Sequence, residues 1–171
     1  MTSEQEVLDA AYERAYCYEA TRGSCPQCVL AALQETLNIG DEYLFQAADV
    51  LAGGTSLTSK GTCGALAGGM LALGSLAGRE YTIFQSGGKK RRVFLFSKIL
   101  YDRFIEEYGS PLCCDVQKKL FGRSFNLNDK DEYAAFEKAG AHVDKCPSVA
   151  ANVARWTAEI ILQHNLLKTK E

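Results

Sequence analysis

Hydrophobic residues along this chain recur three and four positions apart, the spacing of one helix face, and no run alternates long enough for a strand or hairpin. Val7, Ala11, Ala15 and Tyr18 mark a first helix, with Thr2 or Ser3 as cap, Gln5 or Glu6 as capping-box partner and Gly23 past its end. A second opens at Ser24 and takes Pro26 in its first turn, where a missing amide costs nothing. It carries Val29, Leu30, Leu33 and Leu37 and stops at Asn38 and Gly40. A third spans Asp41 to Leu51 behind acidic residues that suit a helix N-terminus. Gly53 to Gly61 reads as a flexible polar loop.

Cys63 to Gly78 reads as a buried helix with Gly64, Gly68 and Ala72 on one face. Each glycine there costs about 0.5–1 kcal/mol of helix stability, so the pattern implies that something approaches that backbone closely. Arg91 to Tyr108 is the longest pattern. Val93, Phe96, Leu100 and Phe104 form its stripe, and Phe94, Tyr101, Ile105 and Tyr108 widen it, which predicts a central helix. Gly109-Ser110-Pro111 breaks it. Shorter helices follow near 113–121 and 129–138, and a last one starts at Pro147-Ser148 with Val149, Val153, Trp156 and Ile160 facing inward. The stretch 126–130 is the best candidate for a flexible break. The fold class is all-α, an irregular or orthogonal bundle of about seven to eight helices, in one domain over residues 1–171.

Composition narrows the function classes. At 47% hydrophobic and 23% charged, with only three prolines, the chain has the make-up of a globular protein and no disordered tract. A formal net charge of −2 gives no global field toward nucleic acid or an anionic membrane. The opening Met-Thr-Ser-Glu-Gln-Glu has no basic region leading into an apolar stretch, so a cytoplasmic protein without a secretory signal is expected. The Cys63–Gly78 stretch is too short and too rich in glycine for a membrane span.

Seven cysteines change the picture. Without a signal and with an odd count they suggest metal binding or redox chemistry rather than a disulfide framework. Cys17 reads as a small buried hydrophobe, and Cys114 as either that or a ligand. Four others stand at helix starts: Cys28 after Ser24-Cys25-Pro26-Gln27, Cys63 after Lys60-Gly61-Thr62, Cys113 after Gly109-Ser110-Pro111-Leu112, and Cys146 before Pro147-Ser148. Unpaired amides and the positive end of the helix dipole favour thiolate at such positions, and thiolate is the species that ligates metal and attacks disulfides.

The stretch Cys28-Val-Leu-Ala-Ala-Leu, the block Gly61-Thr62-Cys63-Gly64-Ala65-Leu66-Ala67-Gly68, Gly109-Ser110 with Cys113, and Cys146 together resemble the C_GCAxxG_C_C family of redox-active proteins. The resemblance runs from about residue 23 to 162 and implies redox activity with Cys28, Cys63, Cys113 and Cys146 as the four family cysteines, Cys114 being one residue from the third. Gly64 and Gly68 would allow close packing beside Cys63. The same helical unit is shared with split-Soret-type cytochromes, but Val29 follows Cys25-Pro-Gln-Cys28 where a histidine would be needed, so no covalent haem is expected. The resemblance and the aromatic 93–108 helix imply a homodimer.

Three chemistries compete for these residues. Four scattered thiolates suit an iron–sulfur cluster, of two or four irons, used for electron transfer with a partner protein. Cys25-x-x-Cys28 at a helix start suits thiol–disulfide exchange, and replacing Cys25 by serine is expected to abolish only that second chemistry. Four thiolates also suit structural zinc, although only Cys25 and Cys28 are closely spaced. Cys25 is thus a secondary candidate, second to the four. The loop 53–61 has the composition of a phosphate loop, but lacks the glycine before its lysine and a strand leading in. His142, four residues before Cys146, and His164 read as ordinary histidines. Lys89-Lys90-Arg91-Arg92 is a solvated run that can dock an acidic redox partner. Enzyme status is left open.

Overall fold

The computed structural model describes residues 3–168, and those residues form nine α-helices and no strand. They run α1 (Glu4–Thr21), α2 (Cys25–Leu37), α3 (Glu42–Ala48), α4 (Gly64–Ala77), α5 (Tyr81–Gln85), α6 (Arg92–Tyr108), α7 (Cys113–Phe121), α8 (Lys130–Lys138) and α9 (Cys146–Gln163). Eight have seven residues or more, and these are the eight the spacing predicts. The ninth, α5, is one turn among exposed side chains and has no periodicity to betray it. The fold is all-α.

Several local rules hold. Ser3 caps α1: its hydroxyl accepts from the Glu6 amide at 3.2 Å, and the Glu6 carboxylate accepts from the Ser3 amide at 2.6 Å. Thr2, the other expected cap, lies outside the described residues. Asp41 and Asp129 cap α3 and α8 through their carboxylates. Ser24 does not cap α2. It adopts a left-handed φ of 63°, and its hydroxyl instead donates to Asp49 at 2.8 Å.

Two expectations about packing need correction. The buried stripe of α1 is Leu8, Ala11, Ala15 and Glu19, one residue out of register with Val7 and Tyr18 at both ends, so it places a carboxyl group in the core. The helix at the centre is α9, not α6. Helices α1, α2, α4 and α6 all pack on α9, whose Val153, Ala154, Ala158 and Ile161 are fully buried. α6 buries Phe96, Leu100, Phe104 and Tyr108 and leaves Phe94, Leu95 and Tyr101 in solvent.

A second, small apolar cluster of Phe125, Leu127, Phe136 and Ala141 packs against Phe121, Ala135 and Cys146. It pins the stretch 126–130 expected to be loose: Leu127 is buried and the Asn128 amide donates to the Ser56 carbonyl at 3.2 Å. Between α8 and α9 the chain makes one π-helical turn, Ala141–Lys145, running directly into Cys146. Such turns often stand at functional sites.

Candidate functional site

The connection from α3 to α4 is tightly wound rather than flexible. Gly53, Gly54, Thr55, Ser56 and Leu57 all have φ between 50° and 72°, and Ser59 has 60°. Left-handed backbone costs a non-glycine residue about 1–2 kcal/mol, so the fold must hold this segment in place. It does so through Thr58 Oγ1 donating to Gly54 O at 2.7 Å, Ser59 N to Gly53 O at 2.8 Å and buried Ser59 Oγ to Phe125 O at 2.8 Å.

This loop places two of the cysteines. Cys63 N donates to Pro111 O at 2.8 Å and Cys113 N to Gly61 O at 2.9 Å, around an antiparallel bridge between Thr62 and Leu112. Cys114 N reaches back to Ser59 O at 2.7 Å. A side-chain carbon on Gly54 would lie 2.6 Å from Cβ of Cys113. The starts of α4 and α7 are thereby stitched side by side.

Helix α2 supplies a third sulfur through its contact with α4. A side-chain carbon on Gly68 would lie 2.6 Å from the Pro26 carbonyl, and one on Gly64 would lie 2.8 Å from the Pro26 ring and 3.2 Å from Cβ of Cys25. The two glycines thus do allow a close approach, and what approaches is the first turn of α2. The start of α9 supplies the fourth sulfur, on Cys146. Cys25, Cys63, Cys113 and Cys146 all line one cavity of about 180 Å³, with Glu19 and His142 in the same wall. The rest of the lining is largely apolar, including Leu57, Val116, Leu127 and Phe136.

Cys28 faces elsewhere. Its Sγ donates to Gly23 O at 2.8 Å, and it lines a neighbouring cleft with Tyr18, Gln27 and Glu35. Of the four cysteines expected from the sequence, three share the cavity, and Cys25, the secondary candidate, is the fourth sulfur there. Cys114 contacts Asp115 at 3.8 Å and does not line the cavity. Cys17 is exposed rather than buried. His164 packs on Phe96 with ring centres 4.9 Å apart.

Sequence reasoning missed Glu19. It is fully buried, and neither side-chain oxygen has a hydrogen-bond partner among the described residues. Its nearest basic group is His142 Nε2 at 3.7 Å, and His142 Nδ1 meets Glu137 at 2.6 Å. The signal was present: a carboxyl group on the stripe Leu8, Ala11, Ala15, once the stripe is read in the right register.

Burial decides the state of the thiols. Cys25 and Cys146 are pushed well up by desolvation first, then by the Glu19 carboxyl and by neighbouring cysteines of the same cavity. Burial and the neighbouring Cys63 raise Cys113, and burial with Glu19 raises Cys28. Cys63 rises to about 11, because the Ala65 and Leu66 amides at the start of α4 offset only part of the burial cost. The helix-start effect expected to favour thiolate therefore operates at Cys63 and is outweighed. Such thiols become thiolates when a cation enters the cavity. Among the described residues, no three His, Cys, Asp or Glu side chains stand close enough to hold a single ion.

The family model described as "Putative redox-active protein (C_GCAxxG_C_C)" matches residues 24–160, from the residue before Cys25 to the last turn of α9. The chain belongs to this family. No curated protein and no solved structure matches it. In this C_GCAxxG_C_C protein the matched segment contains the four cavity cysteines and leaves out α1, which carries Glu19. No described helix is long and apolar enough to cross a membrane.

Proposed function

We propose that Cys25, Cys63, Cys113 and Cys146 hold an iron–sulfur cluster through which the protein carries single electrons between partner proteins. The observation that carries this reading is that four cysteines, from the starts of four different helices, line one largely apolar cavity beside a buried carboxyl group. Soft sulfur donors select iron–sulfur centres, zinc or copper(I) over hard cations. Burial holds the thiols protonated, and iron displaces those protons and offsets the charge of the resulting thiolates. In a polynuclear centre the four sulfurs bind different irons and need only line one cavity, whereas one tetrahedral zinc ion needs all four at a single point. One electron enters and one leaves, with no atom transferred.

Thiol–disulfide exchange through Cys25 and Cys28 is less well supported, because their side chains line different cavities and both thiols are held protonated by burial. With Cys25 in the cavity, its replacement no longer separates the two chemistries, whereas Cys28 does. After anaerobic reconstitution, wild type and Cys28→Ser should be brown, with equal iron and acid-labile sulfide. Serine at Cys25, Cys63, Cys113 or Cys146 should lose most of both. A colourless, iron-free wild type sinks the reading, and bound zinc by elemental analysis replaces it with a structural site.

A further inference from the structure

The segment from the end of α4 to the start of α6 carries a charge opposite to that of the rest of the chain. Residues 79–98 hold six basic side chains and one acidic, Glu80, while the remaining residues hold 13 basic and 20 acidic. Large apolar side chains stand in water among these cations. Tyr81, Phe84, Phe94 and Leu95 are 57–71% exposed, and α5, which carries the first two, buries no residue. Rings and cations form one patch: Arg79, Tyr81, Phe84, Lys89, Arg91 and Phe94 line a single shallow groove. The patch is held in place by the Arg79 guanidinium, which donates to Gly88 O at 3.1 Å and lies over the Phe84 ring. Lys90 pairs with Glu80, the one acidic group of the segment, and Lys98 pairs with Asp102. Lys89, Arg91 and Arg92 have no carboxylate partner among the described residues. Contiguous apolar surface rimmed by charge marks an interaction site.

We propose that this patch docks on the surface of an anionic bilayer, with Tyr81, Phe84, Phe94 and Leu95 seated at headgroup level and Lys89, Arg91 and Arg92 on lipid phosphates. Interfacial binding combines buried apolar area with the attraction of Lys and Arg to anionic lipid, and aromatic rings favour the headgroup layer. Long basic side chains reach phosphates from the rim while their stems stay on apolar surface. Other occupants fit less well. A second copy presenting the same patch would set like charges together. Single-stranded nucleic acid stacks its bases on open ring faces, but Arg79 covers a face of Phe84 and Leu95 offers none. An acidic protein would pair the cations and would still have to supply a matching apolar surface, whereas a bilayer offers phosphate and hydrocarbon together all along its plane. The patch begins just past the C-terminal end of α4, while Cys63 stands at the start of that helix, whose 14 residues span about 21 Å. No residue of 79–98 lines the cysteine cavity, so docking leaves the cavity clear of the membrane.

Flotation of the full chain with vesicles tests this, in metal-free and iron-loaded protein alike, because the patch is independent of the cavity's contents. Binding is expected to vesicles of mixed phosphatidylcholine and phosphatidylglycerol, weakened by salt, and not to phosphatidylcholine alone. Lys89→Gln and Arg91→Gln should each weaken it about fivefold, and Phe94→Ser combined with Leu95→Ser about tenfold or more. These side chains lie in water, so the helical spectrum and iron uptake should not change. In Phe84→Trp an indole emission beyond that of Trp156 should shift to the blue on binding and be quenched by brominated lipid. A wild type that ignores anionic vesicles overturns the proposal, as does binding indifferent to the cation or the Phe94 and Leu95 substitutions, or an indole that stays in water. So does capture by polyglutamate or oligothymidylate without vesicle binding, lost in the same variants, which would assign the patch to an acidic protein or to nucleic acid.

Discussion

Glu19 is the residue whose chemistry the fold does least to satisfy. Its two buried oxygens make no hydrogen bond of normal geometry, although the Cys25 and Cys28 thiols approach them, at a cost of about 1–3 kcal/mol. Replacing it by an apolar side chain of similar size removes that cost where nothing fills the cavity. Glu19→Leu should therefore stabilise the metal-free protein by about 1–3 kcal/mol, read as a rise of several degrees in the midpoint of thermal unfolding. A metal-free Glu19→Leu protein less stable than wild type would mean that the carboxyl group has a partner after all. Residues of this kind were the hardest to read from the sequence. Cys25 and Cys28 lie three apart, roughly 60° from each other around one helix turn, and only the packing of Pro26 against Gly64 and Gly68 decides which sulfur meets the cavity.

At the level of elements, the pieces that build the site were legible where one local rule governs each. The Ser3–Glu6 capping box, the capping aspartates, Pro26 at the start of α2 and the glycine face of α4 all act as their residue types dictate. The loop 53–61 was not legible, since glycine, serine and threonine read as freedom, and only tertiary hydrogen bonds turn them into a left-handed clamp. That clamp yields two predictions. Ser56 has a φ of 50° and is exposed, so Ser56→Gly should relieve strain and stabilise the protein by about 0.5–1 kcal/mol in denaturant titration. Gly68→Val should act the other way, since even its first carbon meets the Pro26 carbonyl at 2.6 Å. Overpacking of this sort costs about 1–3 kcal/mol and pushes α2 from α4, separating Cys25 from Cys63. Iron uptake should fall with stability in Gly68→Val, whereas Ser56→Gly should leave it unchanged; full iron loading in the valine variant would show that the α2–α4 contact does not position Cys25.

Across the whole molecule, the cysteines make stability depend on pH in a direction fixed by their burial. Their positions at helix starts point to the dipole as the governing effect, but desolvation depends on tertiary packing, which no local pattern reports. Five thiols, on Cys25, Cys28, Cys63, Cys113 and Cys146, are raised above the ordinary value of 9.0, Cys63 to about 11. In the unfolded chain they lose protons near that ordinary value, while in the folded metal-free protein they keep them. Above about pH 9 the unfolded state thus binds fewer protons than the native state, and stability falls with rising pH. The stabilisation is complete at neutral pH and below, and is lost progressively as pH climbs from 9.0 through the folded-state values, past about 11 for Cys63. Thermal unfolding of the metal-free protein between neutral and strongly alkaline pH should therefore show a steep decline that begins near the ordinary thiol value. A variant with serine at Cys25, Cys63, Cys113 and Cys146 controls for tyrosine and lysine titration, and its decline should be much shallower. Protein reconstituted with iron holds these groups as ligated thiolates with no proton left to keep, so its profile should also flatten. Identical alkaline profiles for the metal-free wild type and the four-serine variant would mean that the sulfurs are solvated and that no desolvated cavity gathers them.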